Sequence, residues 1–390
     1  MVVNGSDDLV LTGGRIHCPD GMLADGWLSV SGERISGVGT GNPPQGKHID
    51  LNGAHVVPGF VDIHCHGGGG GSFTSADPAE AHTAVRTHRR HGTTTLMASL
   101  VSAPPNELID QMAALAELVT DGELVGIHLE GPFISEARCG AHDPAVLRDP
   151  DAEVVEELLK AGRGNIRMVT LAPELAGGIE AVHRFSQDGV IAAVGHTDAV
   201  ADQVRAAVDA GATVATHLFN GMRPLHHREP GPVGALLDDD RVTVELICDL
   251  VHLHPDVVRF AARHAGPSRT VLVTDAMSAT DVADGTYRLG GLDVEVKNGV
   301  ATLPDSGSLA GSTLTMDAAF RNLVHGAGLD IADAVAATAT QPARLLGIDG
   351  DTGALRTGLL ADAVVLDDDL RTLGVLRRGA WVDDRVPKTA

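Results

Sequence analysis

Two histidines separated by a single residue, His64 and His66, follow an apolar run that reaches Asp62. In an extended chain alternate side chains share a face, so His64 and His66 point the same way and Cys65 points oppositely. Other apolar runs end in comparable groups. Glu130 closes His128-Leu129-Glu130, His196 stands in Gly195-His196-Thr197-Asp198, and His217 begins His217-Leu218-Phe219-Asn220. A last run ends in Thr274-Asp275-Ala276. Neutral imidazole and carboxylate are the usual ligands of zinc, and they also accept iron, manganese or cobalt. A histidine pair with one further ligand makes a site; Glu130 with His196 and His217 allows a second ion, the carboxylate bridging. Any one of the 19 histidines read alone is an ordinary core or surface residue. The conjunction at the ends of separate apolar runs is what points to metal. Asp275 has a different expected duty. A divalent ion lowers the pKa of its water toward about 7, and a carboxylate beside it can take a proton and later deliver it to a leaving group. Asp275 as one further ligand is the plainer reading, and the two roles overlap. The chain has only four lysines, Lys47, Lys160, Lys297 and Lys388. None lies on an expected barrel strand, which excludes a carbamylated-lysine bridge and leaves Glu130 for that place.

The elements that must position these groups come next. Between about 56 and 346, apolar runs alternate with helix-like stretches. The strand candidates are 56–66, 93–100, 125–130, 166–172, 190–196, 212–220, 242–249 and 270–276. Most are short continuous apolar runs, as expected of parallel strands buried on both faces. One helix starts at Asp77-Pro78-Ala79-Glu80, with an N-cap, a first-turn proline and an acid placed for a capping box. Eight strand–helix units predict an α/β fold, a closed (β/α)8 TIM-type barrel, whose strand ends would bring all these groups to one rim. An open doubly wound sheet is the competing arrangement. Short β-like runs at 9–11, 27–30, 34–38, 361–366 and from 375 lie at the two chain ends. They predict a small β-sandwich domain from 1–56 and 347–390, interrupted by a catalytic barrel over 57–346.

Composition narrows the class. The chain of 390 residues is 43% hydrophobic and 21% charged, which is globular. Its formal net charge of −23 repels phosphate backbones and anionic lipid, which argues against nucleic-acid and membrane partners. An anionic small substrate would need local Arg or His. No run approaches a membrane span, and the start, with Asp7 and Asp8, lacks a signal pattern. Cys18, Cys65, Cys139 and Cys248 form no paired spacing, which fits a reducing cytoplasm.

The His64-Cys65-His66 pair after Pro58-Gly59-Phe60-Val61-Asp62, the interrupted terminal β-domain and the last-strand aspartate resemble the amidohydrolase superfamily. Finer motifs are similar to its N-acetylglucosamine-6-phosphate deacetylase family: His128 to Phe133, Gly140-Ala141-His142, Thr216 to Met222, Arg228-Glu229-Pro230-Gly231, Asp249 to His252 and Leu309-Ala310-Gly311-Ser312. That resemblance implies hydrolysis of the acetamide of N-acetylglucosamine 6-phosphate. It implies that Glu130, His196 and His217 hold the main metal and that Asp275 is the acid/base. Some members lack the histidine pair, so its presence implies a second ion on His64 and His66, zinc first among the candidates. Arg228 is the implied phosphate ligand, reaching a neighbouring subunit's site and so implying a homodimer. His142 and His252, the latter matching the family's substrate-binding histidine, would serve the acetyl carbonyl and a sugar hydroxyl in an undivided way. Ala141, Asn220, Gly221, Leu309, Ala310 and Gly311 match substrate-contacting stretches. Arg138 and Cys139 read otherwise as exposed loop, and His226 and His227 as surface. Another amidohydrolase specificity, such as D-amino-acid deacylation or adenine deamination, is the nearest rival. A scaffold that has lost catalysis is a distant one, since such chains lose ligands.

Overall fold

The structure, a computed structural model, describes residues 8–386; the acidic start through Asp7 and the lysine at 388 lie outside them. The chain forms two compact units. One runs to Asp62 and adds His88–Thr95 and the chain from Met316; the other comprises Ile63–Thr87 and Leu96–Thr315. Among the described residues no helix is long and apolar enough to cross a membrane.

In the first unit the two chain ends share one sheet. Its order is Ala380–Trp381, Thr372–Arg377, Ala363–Leu366, His55–Pro58, Leu9–Cys18, Gly21–Ser31 and Arg34–Thr40. Leu9–Cys18 divides its partners: Leu9 to Thr12 pair with Lys47–Asp50, whereas Arg15 and Ile16 pair with His55 and Val56. The division falls at Gly13, whose φ of +65° and whose closeness to Asp50 Oδ1 exclude a side chain. Breaking the ladder there lets the sheet fold over a core that includes Leu11, Ile16, Leu28, Ile35, Val56 and Val365. The small β-sandwich expected from the termini is therefore present, with strands longer than their apolar runs suggested.

The barrel strands are Phe60–Asp62, Thr93–Leu100, Gly126–Glu130, Ile166–Leu171, Ile191–Val194, Ala212–Ala215, Thr243–Ile247 and Thr270–Val273. They neighbour one another in strict sequence order. A doubly wound sheet needs a reversal of order, and there is none. The last strand returns to the chain after the first: Asp275 N–H donates to His64 O at 2.8 Å, and Ala276 bridges Cys65. Helices Pro78–Arg90, Pro105–Thr120, Ala152–Gly162, Gly178–Gln187, Ala201–Ala210, Gly231–Asp238 and Pro255–Ala265 follow the first seven strands. Ala152–Gly162 shows why they pack: Val154, Val155, Leu158 and Leu159 form one buried stripe.

The structure corrects three expectations. The run 56–66 is two strands, His55–Pro58 in the terminal sheet and Phe60–Asp62 in the barrel. They part at Gly59, where a Cβ would lie 2.3 Å from Thr94 Oγ1. The ladders expected to reach His196 and Asn220 stop at Val194 and Ala215. Asp77 does cap its helix, accepting from Ala79 N at 2.9 Å, but Glu80 accepts from Ser72 N at 3.1 Å instead of completing a capping box. A three-stranded sheet, Gly285–Leu289, Leu292–Lys297 and Val300–Thr302, follows the eighth strand and was not foreseen. Its alternation (Val294 and Val296 in, Glu295 and Lys297 out) and its Gly290-Gly291 turn are an ordinary hairpin signal.

Candidate metal centre

Glu130 closes its strand, and the other groups that the sequence singled out sit just past theirs, where the backbone turns. His196, His217 and Asp275 have φ values of 46°, 28° and 49°. Non-glycine residues seldom adopt this region, and holding one there costs about 1–3 kcal/mol. Leaving extended geometry ends the ladder and turns each side chain into the barrel mouth. Gly221 makes room: its φ is +59°, and a Cβ there would stand 2.8 Å from His196 Nδ1.

The side chains converge. Glu130 Oε1 lies 2.9 Å from His217 Nε2, 3.2 Å from His196 Nε2 and 3.4 Å from His64 Nε2. Its other oxygen lies 3.2 Å from His66 Nε2 and 3.4 Å from His142 Nε2. Asp275 Oδ1 stands 3.1 Å from His66 Nε2. Hydrogen bonds behind the rings assign their tautomers. His64 Nδ1 meets Glu245 Oε2 at 3.2 Å, His66 Nδ1 meets Ser99 O at 3.1 Å, and His196 Nδ1 meets Arg138 O at 2.9 Å. Each of these partners accepts, so each Nδ1 carries the proton and each Nε2 aims a lone pair inward. His142 is reversed: Ser102 N–H donates to its Nδ1 at 3.2 Å, so its proton is on Nε2. His142 is thus a donor in the mouth rather than a metal ligand.

Inward lone pairs in contact repel unless something positive lies between them. His64 and His66 bring their Nε2 atoms to 3.2 Å, and His196 and His217 bring theirs to 3.1 Å. The donor set therefore fits divalent cations, in two overlapping groups that share Glu130. The same carboxylates favour positive charge at this place, whether a proton or a metal ion. Burial opposes charge on His66, yet Asp275 and Glu130 hold its pKa up at about 9. His64 is likewise raised well above the usual range, against burial, by Glu130, Glu245 and Asp275. Burial also resists ionising Asp275, but His66 and His64 hold its carboxyl down at about 2. His128, on the same strand as Glu130, is different. Burial and the nearby His64 push its pKa far down. Ser99 Oγ at 3.0 Å and Thr170 Oγ1 at 2.8 Å occupy both its nitrogens, so it is a neutral core residue.

A cavity of about 350 Å³ opens over this cluster. It is lined by His66, Glu130, His142, His196, His217 and Asp275, and by Ala141, Asn220, Gly221, His252, Leu309 and Gly311 from the expected substrate stretches. His64 lies fully buried beneath. Two expected residues are elsewhere. Ala310 is buried in an apolar cluster with Val101, Ala141 and Leu289, and exposed Arg228 rests its guanidinium on His227 at 2.8 Å, outside the cavity lining. Asp249, to which the sequence reading gave no role, accepts from His252 Nδ1 at 2.7 Å. Burial works against a charged His252, but Asp249 raises its pKa all the same. Arg138 is tied down, its Nε and Nη2 each 2.8 Å from Asp198, and Cys139 beside it is half-buried. Ser102, Glu245 and the lining residues Val101, Leu289 and Ser308 were also missed; Glu245 alone left a trace, as an acid inside an apolar strand.

The Amidohydrolase family model matches residues 55–386. An N-acetylgalactosamine-6-phosphate deacetylase of Escherichia coli O157:H7 is 35% identical over 95% of this chain and 98% of its own length. An N-acetylglucosamine-6-phosphate deacetylase of Bacillus subtilis (strain 168) is 34% identical over 92% and 93%. Among solved structures, a mutant N-acetyl-D-glucosamine-6-phosphate deacetylase of Mycobacterium smegmatis, in complex with N-acetyl-D-glucosamine-6-phosphate, is 49% identical. It superposes with a TM-score of 0.93, covering 97% of this chain and 100% of that one.

Proposed function

Because the chain belongs to the amidohydrolase family, and its end-to-end relatives are hexosamine-6-phosphate deacetylases, we propose that it hydrolyses the acetamide of N-acetyl-D-glucosamine 6-phosphate. The products are D-glucosamine 6-phosphate and acetate. One observation carries the reading: the Nε2 atoms of His64, His66, His196 and His217, two carboxylates and a neutral imidazole donor meet under one cavity that also holds Asn220 and His252.

Glu130, His196 and His217 would hold one divalent ion, and His64 and His66 a second, with Asp275 beside it; zinc is the first candidate for this donor set. Such an ion supplies Lewis acidity and acidifies a bound water. The side chains do the rest. His142, with its proton on Nε2, donates to the acetyl carbonyl oxygen and to the negative charge that grows there. Asp275, ionised, accepts the proton of the attacking water. As the C–N bond breaks, it delivers that proton to the nitrogen, which leaves as an amine and not as an amide anion. His252, whose cationic form Asp249 favours, faces the sugar phosphate. Arg228 lies outside its own cavity lining and serves the phosphate of a neighbouring subunit's substrate, which makes the working unit a homodimer. Catalysis belongs to the barrel, 57–346; no described residue of the discontinuous domain of 1–56 and 347–390 lines the cavity. We place the reaction in the cytoplasm, because four cysteines without paired spacing suit a reducing compartment.

The test is acetate release from N-acetylglucosamine 6-phosphate by metal-depleted and metal-restored protein, with the galactosamine epimer and unphosphorylated N-acetylglucosamine as competitors. Metal-dependent release with preference for the phosphorylated gluco compound is expected. Preference for the epimer would reassign the sugar. Equal activity without the phosphate would remove the roles of Arg228 and His252.

A further inference from the structure

The cavity lining is sorted by side. Because the eight strands follow one another in order, the second stands opposite the sixth and the third opposite the seventh. Asn220 and Gly221 follow the sixth strand and His252 the seventh, so hydrogen-bonding groups gather on that side. Val101 follows the second strand and Ala141 the third, and both are buried in one apolar cluster with Leu289 of the added sheet. The turn of that sheet is pressed onto Val101: Gly290 has φ +54°, and a Cβ there would lie 2.5 Å from Val101 Cγ2. The three side chains thus form a continuous wall, closed by the hairpin, that also faces the cavity.

The reactive carbonyl carbon bears two substituents. One is the nitrogen that leads to a polar sugar and a phosphate; the other is a methyl group. Fixing the carbonyl between His142 and the ligand cluster, and sending the sugar toward Asn220 and His252, directs the methyl to the opposite side. His142 itself reports that direction, since its neighbour Ala141 and the residue before its anchor Ser102 both belong to the wall. We propose that Val101 and Leu289 set the length of the acyl chain that this protein removes, holding an acetyl methyl and refusing longer chains. The inference rests on the deacetylase reading above and adds a specificity determinant to it.

The experiment compares kcat/KM for N-acetyl, N-propionyl and N-butyryl glucosamine 6-phosphate within each protein, so that a general loss of activity cancels in the ratio. The wild type is expected to disfavour the butyryl substrate strongly. Leu289→Ala and Val101→Ala should each move the butyryl-to-acetyl ratio upward by roughly ten-fold or more, the scale of one or two methylenes in an apolar pocket. Val101→Ile, which adds a methylene, should move the propionyl-to-acetyl ratio downward, and it keeps the test open where a truncation fails to fold. Ratios within about two-fold of wild type in variants that still release acetate would overturn the wall while leaving the deacetylase standing. Absence of acetate release by the wild type would overturn both.

Discussion

Two histidine pairs in this protein have the same ring separation and opposite chemistry, although the first is stacked at 26° and the second meets edge to face at 70°. His17 and His55 in the terminal sheet have ring centroids 5.1 Å apart, as do His64 and His66 at the barrel mouth. Their closest nitrogens are 2.8 and 3.2 Å apart. Yet His17 is pushed down to about 4, by burial first and then by His55 and Arg15, whereas His66 is held up at about 9. The difference is the company of carboxylates. Arg15 stands beside the first pair, and its partner Asp368 is exposed. Glu130 and Asp275 are buried against the second pair. Two imidazoles in contact are therefore no sign of a metal site. A buried carboxylate between inward lone pairs is.

The largest test removes that carboxylate. Glu130→Gln should strip metal from both groups of ligands and abolish acetate release, read by elemental analysis and by the acetate assay. Asp275→Asn separates chemistry from binding: kcat should fall by about 10²–10⁴-fold, the usual worth of a positioned acid/base, while metal content survives. Full metal and a normal kcat in the Glu130 variant would erase the distinction between the two histidine pairs.

The centre was legible in the sequence to the extent that side-chain type and strand period encode it. His64 and His66 announce a shared face by their spacing, and Glu130, His196, His217 and Asp275 stand out as polar ends of apolar runs. The candidate ligands were visible but what aims them was not. His196 is oriented by the carbonyl of Arg138 and His66 by that of Ser99, and a backbone atom leaves no letter in a sequence. Glu245 donates nothing to the mouth, yet it fixes His64 Nδ1 and His217 N. An acid within an apolar strand announces burial but not its partner. The strand ends were overrun because positive φ at His196, His217 and Asp275 has no sequence signature in non-glycine residues. The added sheet did have one, in its alternation and glycine turn, and supplies the part of the wall that no ligand motif contains.

A smaller effect is expected at His252, which lies between the two extremes: one carboxylate, no metal ligand role. Asp249 raises its pKa, so its charge persists to higher pH than an ordinary histidine's. KM for the phosphorylated substrate should climb as pH passes that raised pKa, at a higher pH than an unassisted histidine would give. Asp249→Asn should bring the climb to lower pH and raise KM about ten-fold near neutrality, the scale of one charge-assisted hydrogen bond, with kcat little changed. A fall in kcat at constant KM would instead put His252 in the bond-breaking step.

The smallest effect lies at the pair without a buried carboxylate, and it is one of stability. Folding lowers the pKa of His17 from the ordinary value near 6.5 to about 4. Between these limits the unfolded chain binds the proton and the folded chain does not. His17 therefore costs no stability above pH 6.5 and progressively more as pH falls toward 4. His17→Gln keeps a hydrogen-bonding side chain and removes the titration. Its Tm relative to wild type should rise as pH drops from 7 to 4.5. The gain should be small, about 2 °C, because His17 is only half-buried and solvent screens its neighbours. Acetate release at pH 7 should be unaffected. An unchanged Tm difference across that range would mean that the pair does not titrate with folding, and the contrast with the barrel mouth would then rest on the metal ligands alone.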